Sequence, residues 1–214
     1  MTWSIHREQE AGREPSSSQL FLLSELRNGK MSFAVRPAVP KDFDEITAIY
    51  NHCIDHSVAS FRTERVAPAV LLDSYHSALD HGIPFVVAAT HEGASILGYA
   101  YVSLYRASHA GYCHTVELSI YVHSEHLSGG VGSRLWDELV GVLRERLRLT
   151  ETNGETNASP PIRHILSVMA LDVEGHKGGY GLRDWYVNRG FVERGHRRPL
   201  DISSGDGLTP SSCN

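Results

Sequence analysis

From Thr115 to Val122 apolar and polar residues alternate: Val116, Leu118, Ile120 and Val122 share one side of an extended chain, Glu117, Ser119 and Tyr121 the other. Beyond a polar turn, Val131, Leu135, Leu139 and Val142 recur at helical spacing. These two patterns predict a strand that passes through Gly129, Gly130 and Gly132 into an amphipathic helix reaching about Leu147. Upstream, Phe33-Ala-Val-Arg36 reads as a short strand ended by Pro37 and Pro40. Phe43, Ile46, Ile49, Tyr50, Cys53 and Ile54 mark a first helix, and Pro68 to His81 a second, stopped by Gly82. Two strand-like runs follow, Phe85–Ala89 and Ile96–Ser103, joined by hairpin chemistry at His91-Glu-Gly-Ala94. Ile165–Leu171 predicts a buried strand, Leu182–Asn188 a short helix, and Phe191-Val192 a last strand after Gly190. The order is β, α, α, β, β, β, α, β, α, β, a mixed α/β arrangement without internal repeats.

The flanks carry no such pattern. Residues 1–30 and 201–214 are expected to be disordered, leaving one domain over 31–200 with a flexible, apolar-poor loop at 150–161. Composition is that of a soluble globular protein, 41% apolar and 21% charged. A net charge of −5 argues against a dedicated nucleic-acid binder. No apolar run approaches the roughly 18–20 residues of a membrane span. Three scattered cysteines, Cys53, Cys113 and Cys213, fit a reducing, cytoplasmic setting. Among thirteen histidines, His52 and His56 lie one helical turn apart, and His123 and His126 flank the glycine turn. Neither pair sits in a metal-binding motif, and no metal is expected.

The chemistry concentrates around the glycine turn. A helix start lined with glycines exposes backbone N–H groups to an anion, and the helix dipole favours negative charge there. A carboxylate on the preceding strand suggests a nucleotide-type cofactor presented to a base, with Glu117 as that base. The alternatives are an ordinary polar residue on a solvated strand face, and glycines chosen for tight packing alone.

Further residues give this pattern a relative. Ile49-Tyr-Asn-His52, Ser60-Phe-Arg-Thr-Glu64, Gly98-Tyr-Ala-Tyr101, Thr115-Val-Glu117, Tyr121-Val122, Gly130-Val-Gly132-Ser133 and Gly190-Phe191 resemble the GNAT superfamily of acetyl-CoA-dependent N-acetyltransferases, and within it the phosphinothricin N-acetyltransferase group. The resemblance spans about residues 33–195. It implies a mostly antiparallel central sheet flanked by helices, with acetyl-CoA as co-substrate and the amine of a small amino acid or analogue, of the phosphinothricin or methionine sulfoximine type, as acceptor. Attack would be direct, in a ternary complex.

The same resemblance implies site residues. The strand segment Ser119, Ile120, Tyr121 and Val122 would hold the pantetheine arm and polarise the thioester. The turn Ser128, Gly129, Gly130, Val131, Gly132 and Ser133 would take the pyrophosphate, although Leu127 stands where the family carries Gln or Arg. Tyr186 would protonate the departing thiolate; a buried core tyrosine is the alternative. Arg62 and Arg106 suit an acceptor carboxylate, and Tyr112 would line the same pocket. For Arg62 the alternative is a salt bridge to Glu64 or Glu45. A homodimer would cover exposed strand edges. Past Arg194 the two strands that close the family's sheet find too little apolar sequence, which reads as a truncated C-terminus. An acetyl-CoA-binding remnant without activity, or an acetyltransferase for protein or peptide amines, are the competing functions.

Overall fold

The computed structural model describes residues 32–90, 95–153 and 160–195, with the side chains of 147–153 left aside. The hairpin connection at 91–94, residues 154–159 of the expected loop at 150–161 and both termini lie outside them, while residues 150–153, expected in that loop, instead continue the helix Val131–Asn153. The chain divides into two compact units, one running through Ala170 and one beginning at Leu171.

The first unit is a five-stranded sheet in chain order, β1 (Phe33–Pro37), β2 (Phe85–Thr90), β3 (Ile96–Leu104), β4 (Thr115–Val122) and β5 (His164–Leu166). β1 to β4 are antiparallel and β5 runs parallel to β4. Three helices belong to this unit: α1 (Phe43–His56), α2 (Pro68–Asp80) and α3 (Val131–Asn153). Both faces of the middle strands are covered, so β2 is buried along nearly its whole length and its sequence is continuously apolar rather than alternating.

Two anchors set this arrangement. Asp42, buried just ahead of α1, takes two hydrogen bonds from the Arg36 guanidinium of β1, at 2.7 and 2.9 Å, and one from the Val39 N–H at 2.9 Å. Burial pushes its carboxyl up, but the Arg36 and Val39 bonds outweigh that and hold it below the usual carboxylate range. On the opposite face α3 begins directly over β3. A Cβ at Gly98 would lie 2.7 Å from the Tyr121 carbonyl oxygen and 3.2 Å from Val131 Cγ1, so only glycine admits this approach.

The C-terminal elements depart from the expected pattern. The predicted buried strand over Ile165–Leu171 shrinks to His164–Leu166. β5 pairs with β4 only along Thr115–Glu117 although β4 continues to Val122, so the residues after Leu166 leave the sheet while a β4 edge is still open. In the second unit the predicted helix forms as α4 (Tyr180–Val187). The predicted Phe191-Val192 strand does not form. Instead Gly190, at φ 88°, closes the helix: its N–H donates to the Val187 carbonyl and that of Phe191 to the Tyr186 carbonyl. This is the Schellman arrangement, completed by packing of the Phe191 and Tyr186 rings at 5.0 Å. An apolar pair after a glycine thus served a helix end rather than a strand. Among the described residues no helix is long and apolar enough to cross a membrane.

Candidate active site

β4 carries different chemistry on its faces and its edge. Tyr105 N donates to Thr115 O at one end, 3.1 Å, and His123 N donates to Leu97 O at the other, 2.9 Å. With an unbroken register between them, the odd-numbered residues of β4 spend their backbone groups on β3. The even-numbered ones turn theirs toward β5, which stops opposite Glu117. Ile120 and Val122 therefore present N–H groups to an edge with no strand opposite among the described residues. The four residues expected to offer donors thus separate: Ile120 and Val122 have N–H groups available, while those of Ser119 and Tyr121 are committed to the sheet.

The side chains divide the same way. Val116 and Leu118 are buried beneath α3. Glu117, Ser119 and Tyr121 face α1, each half-buried. Opposite them on β3 stand Ser103, Tyr101 and Tyr99 in register. The Tyr121 ring packs on Tyr99 at 5.2 Å and edge-on to Tyr50 of α1 at 5.1 Å. Ser60 Oγ donates to the Tyr50 hydroxyl at 3.1 Å. Burial raises the Tyr99, Tyr101 and Tyr121 phenols above their ordinary values, so all remain protonated. The Tyr99 hydroxyl is fully buried and has no hydrogen-bond partner.

Glu117 and Arg62 both act electrostatically on Tyr101. The charge of Glu117 pushes the Tyr101 phenol up and that of Arg62 pulls it down, both smaller effects than burial. Arg62 is exposed on the loop between α1 and α2, which is turned by its N–H donating to Ser60 Oγ at 3.1 Å. No ion pair joins it to Glu64 or Glu45 among the described residues; Glu45 instead accepts from the Ile96 N–H at 2.8 Å. Arg106 and Tyr112 lie elsewhere. The Arg106 guanidinium sits 5.4 Å from the Tyr105 ring centroid and 5.6 Å from that of Tyr112. Tyr112 lines a separate cavity of about 220 Å³ with Leu104, His109, Cys113 and Arg146, to which neither Glu117 nor Arg62 contributes. A shallower cavity of about 480 Å³ lies against α1, between His52, His56 and Arg65, and Glu117 is absent from it too.

From β4 the chain enters the glycine turn. Ser128 (φ 62°) and Gly130 (φ 82°) adopt the left-handed conformation. Arg134 N donates to Gly130 O at 3.1 Å, which makes Gly130 the residue that starts α3. The N–H groups of Val131 and Gly132 then belong to the first helical turn and have no carbonyl behind them within the helix. A Cβ on Gly130 would meet nothing within 4 Å, so that glycine answers to its backbone angle and not to packing. Leu127 is 63% exposed at the mouth of the turn.

Tyr186 belongs to the second unit. It is buried, with ring contacts to Trp185 at 4.9 Å and Phe191 at 5.0 Å. The sequence reading passed over Tyr50, Tyr99 and Tyr101 as site residues. Only the strand register brings the β3 tyrosines beside Ser119 and Tyr121, and the alternation of Tyr99 and Tyr101 was the one signal that they share a face.

The comparisons with known proteins agree with the fold. The family model for the acetyltransferase (GNAT) family matches residues 46–159. The phosphinothricin N-acetyltransferase of Streptomyces viridochromogenes is 36% identical over 106 residues, 50% of this chain and 56% of that protein, so the match spans little more than half of that relative. The L-methionine sulfoximine/L-methionine sulfone acetyltransferase of Salmonella typhimurium is 34% identical over 135 residues, 62% of this chain and 77% of that one. Among solved structures, a GNAT superfamily phosphinothricin acetyltransferase from Sinorhizobium meliloti in complex with AcCoA is similar at a TM-score of 0.56 and 28% identity, covering 75% of this chain and 74% of that one. With the family model matching more than half its length, the chain belongs to the GNAT acetyltransferase family.

Proposed function

We propose that this protein transfers an acetyl group from acetyl-CoA to the amine of a small amino acid or amino-acid analogue. The observation that carries the reading is the composition of β4. It holds a half-buried carboxylate on one face and backbone donors on an open edge, and it leads into a glycine-started helix. The donor set fits acetyl-CoA: Ile120 and Val122 N–H groups for the pantetheine arm and thioester oxygen, Gly130, Val131 and Gly132 for the pyrophosphate. Ser128, Gly129 and Ser133 complete that turn. When bound, acetyl-CoA supplies an activated acyl group with a thiolate leaving group.

In this reading Glu117 removes the proton from the acceptor ammonium, freeing the amine lone pair for attack. Arg62 holds the acceptor carboxylate, an assignment supported by its lack of an ion pair with Glu64 or Glu45 and by its nearness to Tyr101. The phenols of Tyr101 and Tyr121, protonated across the neutral range, wall the acceptor side together with the Tyr50 hydroxyl. For the departing thiolate, the family resemblance implies Tyr186, which belongs to the second unit, as the proton donor. Tyr112, which lines another cavity, and Arg106, which sits over the Tyr105 and Tyr112 rings, are not assigned to the acceptor. The names of the relatives support methionine sulfone and phosphinothricin as the acceptors to try first.

The test is acetyl-CoA turnover with those two amino acids, followed by release of free thiol. Glu117→Gln should lower kcat by about 10²–10⁴-fold with little change in acetyl-CoA affinity. Arg62→Ala should raise KM for the amino acid more than it lowers kcat. Acetyl-CoA bound without turnover of any free amino acid, combined with acetylation of peptide amines, would replace this reading with a protein acetyltransferase.

A further inference from the structure

We propose that the turn between β4 and α3 is a binding site for a divalent transition-metal ion, ligated by His123, Glu125 and His126. The sequence shows only two histidines flanking glycines. Folding adds a carboxylate and fixes the spacing. Ser124–His126 form one turn of 3-10 helix, closed by His126 N donating to His123 O at 2.9 Å. That turn sets the two imidazole rings 5.3 Å apart between centroids, tilted by 38°. One ligand atom from each of His123, Glu125 and His126 falls within 4.8 Å of the other two. Metal–ligand bonds of about 2.0–2.2 Å require ligand atoms somewhat closer than this, a difference that side-chain rotation on a half-exposed turn supplies.

A second observation points the same way. His126 Nδ1 is shielded from solvent and has no hydrogen-bond partner, a state that buried polar atoms rarely keep without a reason. His123 Nδ1 accepts only a long bond, 3.3 Å, from the Glu125 N–H among the described contacts. Both rings therefore have a ring nitrogen that nothing among the described residues holds firmly. Two imidazoles and one carboxylate are a borderline set that suits Zn²⁺, Co²⁺ or Ni²⁺ better than Mg²⁺ or Ca²⁺. Glu125 is exposed, so the remaining coordination position opens to solvent and would be filled by water.

The site is decided with the metal alone, apart from any acetyltransferase activity. The full chain is titrated with Co²⁺, whose visible absorption reports low-coordinate nitrogen and oxygen ligation, and the Co²⁺ is then displaced by Zn²⁺. One equivalent per chain is expected. His123→Gln and His126→Gln should each weaken binding by about 10–100-fold, a loss of the size seen when metal-site contacts are removed. Glu125→Gln, on an exposed side chain, serves as the variant least able to disturb the fold and should weaken binding in the same direction. His52→Gln and His56→Gln should leave the titration unchanged, which separates this turn from the other close histidine pair, 4.6 Å between centroids. No saturable binding, or one equivalent that survives both His123→Gln and His126→Gln, would overturn the proposal.

Discussion

Single side chains show where the fold tolerates no compromise and where it holds slack. At Gly98 an added methyl group meets the Tyr121 carbonyl oxygen at 2.7 Å, a backbone atom that cannot rotate away. Gly98→Ala should therefore lower stability by about 1–3 kcal/mol in denaturant titration, as overpacked cores do. Tyr99 is the reverse case. Its hydroxyl is buried without a partner, so the folded state carries a desolvation cost that the ring does not need. Tyr99→Phe is expected to leave stability unchanged or raise it by about 1 kcal/mol. A clear loss would mean that the hydroxyl has a partner, such as an enclosed water.

At the scale of elements, the start of α3 joins strand geometry to anion chemistry. Gly130 stands at φ 82° with open space where a Cβ would go, so substitution there tests backbone conformation alone. Gly130→Ala should cost about 1–2 kcal/mol of stability and weaken acetyl-CoA binding by calorimetry, while acceptor KM stays near its starting value. Much of this level was legible in the sequence. Alternation of Val116, Leu118, Ile120 and Val122 against Glu117, Ser119 and Tyr121 placed β4 correctly, and the helical spacing of Val131, Leu135 and Leu139 placed α3. What the pattern could not show was pairing. Which backbone N–H groups of β4 remain unspent depends on the register with β3 and on where β5 ends. Neither leaves a trace in the composition of β4 itself. Phe191 and Val192 misled for a related reason: an apolar pair after glycine suits a strand or a Schellman cap equally, and only the presence of a neighbouring strand decides.

Across the first unit, the two helical layers are tied to the sheet by few polar anchors, and Asp42 is the best buried of them. Its carboxyl is held below the usual range by Arg36 and Val39, so its contribution is complete above the unfolded value of about 3.9 and is lost as pH falls through the lower folded value. Asp42→Asn should cost about 2 kcal/mol at neutral pH, the scale of a hydrogen bond to a charged group. The gap to the unsubstituted protein should start to narrow below about pH 4, where the unfolded chain takes up a proton, and close as pH falls through the lower folded value. A gap that persists unchanged in acid would assign the loss to packing instead of charge.

The central claim is that Glu117, on the α1-facing side of β4, is the base for an amine acceptor. It is tested most directly by the pH dependence of kcat/KM for acetyl transfer to methionine sulfone, measured with the unsubstituted protein and with Glu117→Gln. The account predicts a rate that rises with pH in the unsubstituted protein. In the variant the rate should be lower by about 10²–10⁴-fold and recover as alkaline pH deprotonates the amine in solution. A Glu117→Gln protein that keeps both the rate and the pH profile would contradict the account and leave Glu117 as a polar residue on a strand face.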